Sequence, residues 1–166
     1  MASPIARKYR RFWFITVHMP IEPDEQQFAE IASLAGGDAD GPVVMLNLNR
    51  YRERAEYEGE VPGEDSADVS GHEAYLRYAV VAVAVLARVG GRILWQAESK
   101  LTAVGDETDR YDEVVAVWYP SLAAFVALAT DAEILEARAH RTAGLERAAL
   151  IACESGSEPV LPAPEP

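Results

Sequence analysis

The chain has 166 residues, 49% of them hydrophobic and 25% charged, which is enough to bury the core of one globular domain. A formal net charge of -12 disfavours binding to nucleic acid and to anionic membrane surfaces. The longest apolar run, residues 79–87, is about half the length that spans a bilayer. Cys153 is the single cysteine, which excludes an internal disulfide and fits a reducing compartment, so we expect a cytoplasmic protein.

Residues 1–41 are predicted to form an extension ahead of the core. An apolar run at 12–17 follows four basic residues, as in a signal peptide, but His18 and Pro20 follow it and no small-residue cleavage site is present. We interpret the run as a strand or packing arm. Apolar residues at helical spacing predict a helix over 24–34.

The core begins with an apolar strand predicted over 43–50. A polar loop rich in acidic residues follows at 51–69, and its length and composition predict mobility. Ser70 and Glu73 form a capping-box pattern, which predicts the start of a helix that runs to about residue 89. The second half of this helix is apolar all round, so we expect the extension or a second subunit to cover it.

The rest of the chain completes an α+β pattern. The predicted segments are strand 92–97, its continuation or a hairpin arm at 100–104, strand 113–119, helices 122–129 and 132–147, strand 148–154 and a disordered Pro-rich tail at 155–166. The order within 42–154 is βαββαβ, which predicts a ferredoxin-like domain with an antiparallel four-stranded sheet and helices on one face. The other face would be bare in a monomer, so we expect a homodimer.

Several motifs then occur in a fixed order. Residues 71–78 (GHEAYLRY) are followed by a Gly-Gly-Arg turn at 90–92, by EVVAVWYPSLAAF at 113–125, and by a helix that carries Arg141. Together they resemble the domain of unknown function family 1330, in the dimeric α+β barrel superfamily, over roughly 42–154. The chain departs from the family in having longer extension and loop segments.

The resemblance implies the fold and the dimer but no particular reaction. The family has no assigned activity, and its superfamily includes cofactor-independent monooxygenases, lactone isomerases, haem-dependent enzymes and stress-response barrels. Dinucleotide, phosphate-loop and zinc-protease motifs are missing, and the three histidines are scattered along the chain. We therefore predict no cofactor and no metal site.

Two asparagines stand in an otherwise apolar strand. Asn47 and Asn49 alternate, so both are predicted to face the same side as Val43 and Met45. Buried amides need partners, so this pair either orients a polar ligand or bonds to loops near the strand end. In this fold we expect a cavity between the sheet and the helices. Trp95 and Trp118 lie in predicted strands, where they either form a wall of this cavity or pack in the core or the dimer interface.

Further candidates lie on the main helix. His72 is in the first turn, where the helix dipole favours a neutral imidazole that suits a general base, although a solvated role is the simpler interpretation. Tyr75 and Tyr78 share a helix face and either donate hydroxyl groups into a cavity or pack.

Three arginines are candidates for binding a carboxylate or an enolate. They are Arg50, Arg92 and Arg141, and each has salt bridges with the many acidic residues as its alternative role. Arg141 also matches the family pattern.

The leading hypothesis is a small-molecule enzyme, an isomerase or a monooxygenase, acting on a cyclic or aromatic metabolite without a cofactor. It assigns catalysis to His72, Asn47 and Arg92, and it requires a cavity between sheet and helices. The predicted ligand-binding residues are Asn49, Tyr75, Trp95, Trp118 and Arg141. The alternatives are a non-catalytic ligand-binding or regulatory barrel and a structural dimer whose acidic loop binds a partner protein.

Overall fold

The computed structural model describes residues 21–38, 40–58 and 68–154. The predicted strand at 12–17, the centre of the acidic loop and the predicted tail at 155–166 lie outside these residues. The described elements are α1 (Glu25–Leu34), β1 (Val43–Tyr51), α2 (Gly71–Arg88), β2 (Arg92–Glu98), a 3-10 turn (Glu107–Asp109), β3 (Glu113–Tyr119), α3 (Leu122–Ala129), α4 (Ala132–Gly144) and β4 (Leu145–Glu154). None of these helices has the length and apolarity needed to cross a bilayer.

The sheet has four strands in the order β2-β3-β1-β4. All neighbouring strands are antiparallel, and β1 pairs with β3 in a register that places Met45 opposite Val117 and Asn49 opposite Glu113. With α2 after the first core strand and α4 before the last, this is the ferredoxin-like α+β fold predicted from the sequence, which is thereby confirmed.

One face of the sheet, which we call the helix face, is covered by α2 and α4. It carries Met45 of β1 and Val117 of β3, which pack with Val85 and Leu86 of α2 in the main apolar core. Asn47 and Asn49 continue the same alternation along β1, so the predicted orientation of both amides is correct.

The opposite face, which we call the open face, has no covering element among the described residues. The strand registers place mostly apolar side chains on it, including Trp95, Trp118, Leu46 and Ile151. Trp95 and Ile151 are each 49% exposed. An apolar sheet face of this kind needs a partner surface, as the sequence predicted.

α2 begins as its capping box predicts. The Ser70 hydroxyl accepts a hydrogen bond from the Glu73 amide, and the Glu73 carboxylate accepts one from the Ser70 amide. Its outer surface still leaves Val80 73% and Val83 50% exposed, so the described residues do not supply the extra cover expected for this helix.

The start of α2 and the end of α4 approach at two glycines. A Cβ atom on Gly144 would overlap the carbonyl oxygen of Gly71 and would lie 2.9 Å from the amide nitrogen of Tyr75. Only glycine permits this approach, which brings Tyr75 down onto α4.

Two boundaries differ from the sequence predictions. The predicted strand arm at 100–104 is irregular, because pairing of β2 with β3 ends at Glu98 and the loop closes through the Ser99 amide and the Asp112 carbonyl oxygen (2.7 Å). α4 ends at Gly144, and β4 begins at once with the fully buried Leu145 instead of at residue 148.

The described part of the acidic loop is tied to α4. The Arg52 amide donates to the Gly144 carbonyl oxygen (2.9 Å), and the Glu56 amide donates to the Ala143 carbonyl oxygen (3.0 Å). These backbone hydrogen bonds attach residues 52–56 to α4, although the polar composition of the loop predicted that it would be mobile.

Candidate functional site

A group of hydrogen-bonded polar side chains lies where β1 and β3 meet the start of α2. We call it the Glu113 cluster, and its members are Asn49, Tyr51, Tyr75, Gln96 and Glu113. Asn49 and Glu113 are only 2% and 6% exposed, and they are the two buried polar residues of the described core. Burying a carboxylate is costly unless donors surround it, so such a group deserves a functional or structural explanation.

Three donors bind the Glu113 carboxylate. The Tyr51 hydroxyl donates to Oε2 at 2.5 Å, and Asn49 Nδ2 donates to the same oxygen at 3.1 Å. The Gln96 amide donates to the other oxygen, Oε1. Oε2 is therefore held from inside the protein, whereas the donor to Oε1 is an exposed side chain on the edge strand β2.

Asn49 links the carboxylate to α2. Its Nδ2 group also donates to the Tyr75 hydroxyl oxygen at 3.1 Å. Burial raises the pKa of Tyr75 to about 12, against the opposing charge of Arg141. Burial and then the hydrogen bond to Glu113 raise the pKa of Tyr51 as well. Both phenols therefore keep their protons at neutral pH and remain available as donors.

Aromatic rings line one side of the cluster. The Tyr51 ring lies 4.8 Å from the His72 ring and 5.3 Å from the Tyr75 ring, and Tyr75 lies 5.8 Å from Tyr78. His72 is exposed, as is Gln96, so the cluster reaches the surface beside these two residues. The predicted base His72 thus lies next to the cluster and contacts it through Tyr51.

The remaining predicted site residues do not join this cluster. Asn47 is partly buried, and its Nδ2 group donates to backbone oxygens of Met45 (3.2 Å) and Val115 (3.4 Å). Trp118 is on the open face, where the Arg92 guanidinium lies 4.3 Å from its ring centre. The sheet therefore separates Asn47 and Asn49 from Arg92 and both tryptophans, so one chain cannot combine them in one cavity.

The other two candidate arginines have acidic partners. Arg141 Nη1 lies 3.2 Å from the Glu22 carboxylate and also donates to the Ile21 carbonyl oxygen. Arg50 is on the open face, with its Nε atom 3.1 Å from the Glu146 carboxylate. Arg50 is thus held in a salt bridge, the simpler of the two roles considered for it.

Two concave surfaces of the described residues lie away from the Glu113 cluster. One, of about 490 Å³, lies between the loop residues 52–56 and Glu146. The other, of about 560 Å³, lies within the 99–112 loop. Neither is the enclosed cavity between sheet and helices that the sequence led us to expect. Across residues 21–38, 40–58 and 68–154, no three His, Cys, Asp or Glu side chains converge as a metal site requires.

Sequence reasoning missed Glu113, Tyr51 and Gln96. The signal for Glu113 was available, because it alternates in phase with Val115 and Val117, which line the buried face of β3. A charged residue in phase with buried apolar residues indicates a buried charge that needs partners.

Comparison with known proteins supports this description of the fold. The family model for the domain of unknown function DUF1330 matches residues 65–154. Two crystal structures of the RPA0582 protein of Rhodopseudomonas palustris, a protein of unknown function, are similar to the chain; one of them is of the methylated protein. They are 34% and 33% identical to it at a TM-score of 0.72, and the matches cover 84% of this chain and 97% and 99% of theirs.

A more distant structure is a dimeric protein of unknown function with a ferredoxin-like fold from Bacteroides fragilis. It is 15% identical at a TM-score of 0.43, over 69% of this chain and 97% of that one. No curated protein matches the chain. The family match over more than half of the chain and the identity to RPA0582 agree with the residue patterns, and the chain belongs to the DUF1330 family.

Proposed function

We propose that the protein binds a small organic molecule at the Glu113 cluster and transfers a proton on it. The observation that carries this proposal is the Glu113 carboxylate, which is 6% exposed and yet lies within reach of the surface beside Gln96. The reaction class is isomerisation through an enolate, or oxygenation of the same carbanion by dioxygen.

Glu113 is the proposed base, and Oε1 is the oxygen that accepts the proton. Tyr51 and Asn49 fix Oε2 and so orient the carboxylate. Among residues 21–38, 40–58 and 68–154, the exposed Gln96 amide is the one hydrogen-bond donor to Oε1, and a ligand that displaces it would bring a C–H bond within reach of this oxygen. The carboxylate takes the proton, and the electron pair of the C–H bond moves towards the adjacent carbonyl group.

Tyrosine hydroxyls beside the base would stabilise the resulting enolate oxygen. Tyr75 bonds to Asn49, and its pKa of about 12 keeps the hydroxyl protonated at neutral pH. A donor placed where negative charge develops lowers the barrier most when it is already oriented, as the Asn49 contact orients Tyr75. His72, next to Tyr51, is the group that would pass the proton to solvent.

We further propose that the protein acts as a homodimer that pairs through the open face. Leu46, Trp95, Trp118 and Ile151 form an apolar surface across all four strands. A second copy of the same face is self-complementary under two-fold symmetry, as most homodimer interfaces are. The Arg92 and Trp118 pair would then lie within the interface instead of in a catalytic cavity.

A non-catalytic ligand-binding or regulatory barrel is the second candidate. It is favoured by the fact that both oxygens of Glu113 already have donors, and by the position of both concave surfaces away from the cluster. In that case the cluster would be a structural network that joins β1, β2, β3 and α2.

Hydrogen exchange on metabolites separates the two candidates. The protein is incubated in deuterium oxide with a mixture of cellular metabolites, and mass spectrometry then detects any metabolite that gains deuterium. We expect the wild type to label a metabolite, and E113Q to do so at least about 100-fold more slowly. Glu154 is an exposed glutamate at the far end of the sheet, so E154Q is the matched control and should match the wild type.

Two results would contradict the proposal. Exchange at the wild-type rate in folded E113Q would remove Glu113 from the reaction. Thermal stabilisation by a metabolite that gains no deuterium would favour the binding barrel.

A further inference from the structure

A carboxylate of the chain itself lies between two arginines of α4. Glu22 forms salt bridges with Arg138 and with Arg141, whose Nη1 atom lies 3.2 Å from its carboxylate. Burial alone would raise the pKa of Glu22, but the hydrogen bond from Arg138 and the two positive charges outweigh it and hold the pKa below its usual value. The two arginines thus form a binding site for a carboxylate.

The occupant of this site comes from outside the βαββαβ core. Arg141 is only 19% exposed and lies on the same side of α4 as the buried Ile134 and Ala137. A guanidinium in such a position needs an anionic partner, because an unpaired buried charge is costly. That partner is Glu22, which precedes α1 and is separated from Arg141 by more than 100 residues of chain. The anion can therefore leave without dismantling the sheet or the helices that cover it.

The arginine pair adjoins the Glu113 cluster through two tyrosines. Tyr75 approaches α4 at Gly144, three residues after Arg141, and its ring lies 5.8 Å from the Tyr78 ring. The charge of Arg141 opposes the rise in pKa that burial causes in both tyrosines. Tyr75 in turn contacts Asn49, which binds Glu113. The two arginines on α4, the tyrosine rings on α2 and the Glu113 carboxylate on β3 therefore lie in that order.

We propose that Arg138 and Arg141 bind the carboxylate group of the ligand, and that Glu22 occupies their site as an internal competitor until the ligand displaces it. This proposal rests on the proposed function, which supplies the reaction that the bound molecule undergoes. The ligand class is an organic carboxylate with a flat ring. Arginine forks recognise carboxylates through paired hydrogen bonds, and the tyrosine rings provide the adjoining apolar contact.

Calorimetric titration with benzoate tests this inference, with benzamide as the neutral ligand of the same shape. The protein is used as the full chain. We expect E22Q to bind benzoate about tenfold more tightly than the wild type, because the competitor has lost its charge. Benzamide should show no such gain. E30Q, on the exposed side of α1, is the matched control and should bind benzoate as the wild type does.

Arginine variants complete the test. Adding Arg141→Gln to E22Q should abolish benzoate binding. Arg138→Gln should weaken it, and this change should leave the fold intact because the Arg138 side chain is 50% exposed. Equal benzoate affinity in E22Q and the wild type, or an equal gain for benzamide, would overturn the inference. The proton-exchange assay is read separately: exchange at the wild-type rate in folded E113Q would overturn the proposed reaction alone, whereas equal benzoate affinity in E22Q and the wild type would overturn this inference alone.

Discussion

At the scale of single residues, Asn49 is a buried polar contact between the sheet and α2. It is 2% exposed, and its amide group donates to both the Glu113 carboxylate and the Tyr75 hydroxyl oxygen. Asn47, two positions earlier on the same face, donates to the backbone oxygens of Met45 and Val115. The two residues look alike in the sequence, but Asn49 binds two side chains of the cluster whereas Asn47 binds backbone oxygens.

Replacing each asparagine by alanine should reveal this difference. Asn49→Ala leaves a buried carboxylate and a buried phenol short of a donor, so we expect it to lower the free energy of unfolding by about 2 kcal/mol. Asn47→Ala should cost less than about 1 kcal/mol, since its partners keep their sheet hydrogen bonds. Denaturant titration measures both, and equal losses would contradict the distinction.

The candidate site was predictable only in part at this scale. Alternation along β1 was enough to predict that Asn49 faces the same side as Val43 and Met45, and the helix spacing was enough to put Tyr75 and Tyr78 on one face of the helix. The pairing of Asn49 with Glu113 depends on strand register, which a single sequence does not reveal. The same lack of register led Trp118 and Asn47 to be assigned to one cavity, although they lie on opposite faces.

At the scale of elements, the approach of α2 to α4 at Gly71 and Gly144 places Tyr75 in the cluster. Gly144→Ala should therefore destabilise the protein by about 2–3 kcal/mol, because backbone atoms of α2 cannot yield to the new methyl group. Alanine has a higher helix propensity than glycine, so propensity alone predicts that Gly144→Ala stabilises the protein. Gly37→Ala is the control, since its Cβ would meet only the Leu34 carbonyl oxygen at 3.7 Å. Thermal unfolding of both variants gives the comparison.

The contact between the acidic loop and α4 should depend on pH. His140 Nδ1 lies 2.7 Å from the Tyr57 hydroxyl, and burial, then the charge of Arg77, lowers the pKa of His140 below its usual 6.5. The unfolded chain therefore binds a proton more readily than the folded one, and stability should fall as pH drops below about 6.5.

Two variants separate this titration from other acid effects. His140→Asn keeps a polar atom near the position of Nδ1 but cannot titrate, so the loss of stability between pH 6.5 and the lowered pKa should disappear. Tyr57→Phe should retain the loss, because burial is its main cause. An unchanged pH profile in His140→Asn, measured by denaturant titration, would refute this assignment.

The order and type of the core elements were predictable because each has a local signal. The capping box at Ser70, the glycines after α2 and the alternation in β3 fixed their positions closely. The end of α4 was placed three residues too late: the helix ends at Gly144, whose carbonyl oxygen accepts a hydrogen bond from the Arg52 amide, a tertiary contact that a single sequence does not reveal.

At the scale of the whole molecule, the apolar open face predicts dimerisation. Ile151→Lys changes a residue that is 49% exposed on that face. We expect it to convert the dimer to a monomer and to leave the fold intact, because the charge would be buried only at the interface. Val80→Lys, at a residue 73% exposed on the outer side of α2, is the control and should leave the dimer intact. Light scattering after size-exclusion chromatography determines both masses, and dissociation by Val80→Lys alone would place the interface on α2.

Native mass spectrometry of the purified protein tests whether the chain is a dimeric barrel that binds a small molecule. We expect a species with the mass of two 18.1-kDa chains and additional mass from a bound organic carboxylate. A dimer without any added mass in the presence of a metabolite mixture would contradict the binding site. A stable monomer would contradict the pairing of the open faces.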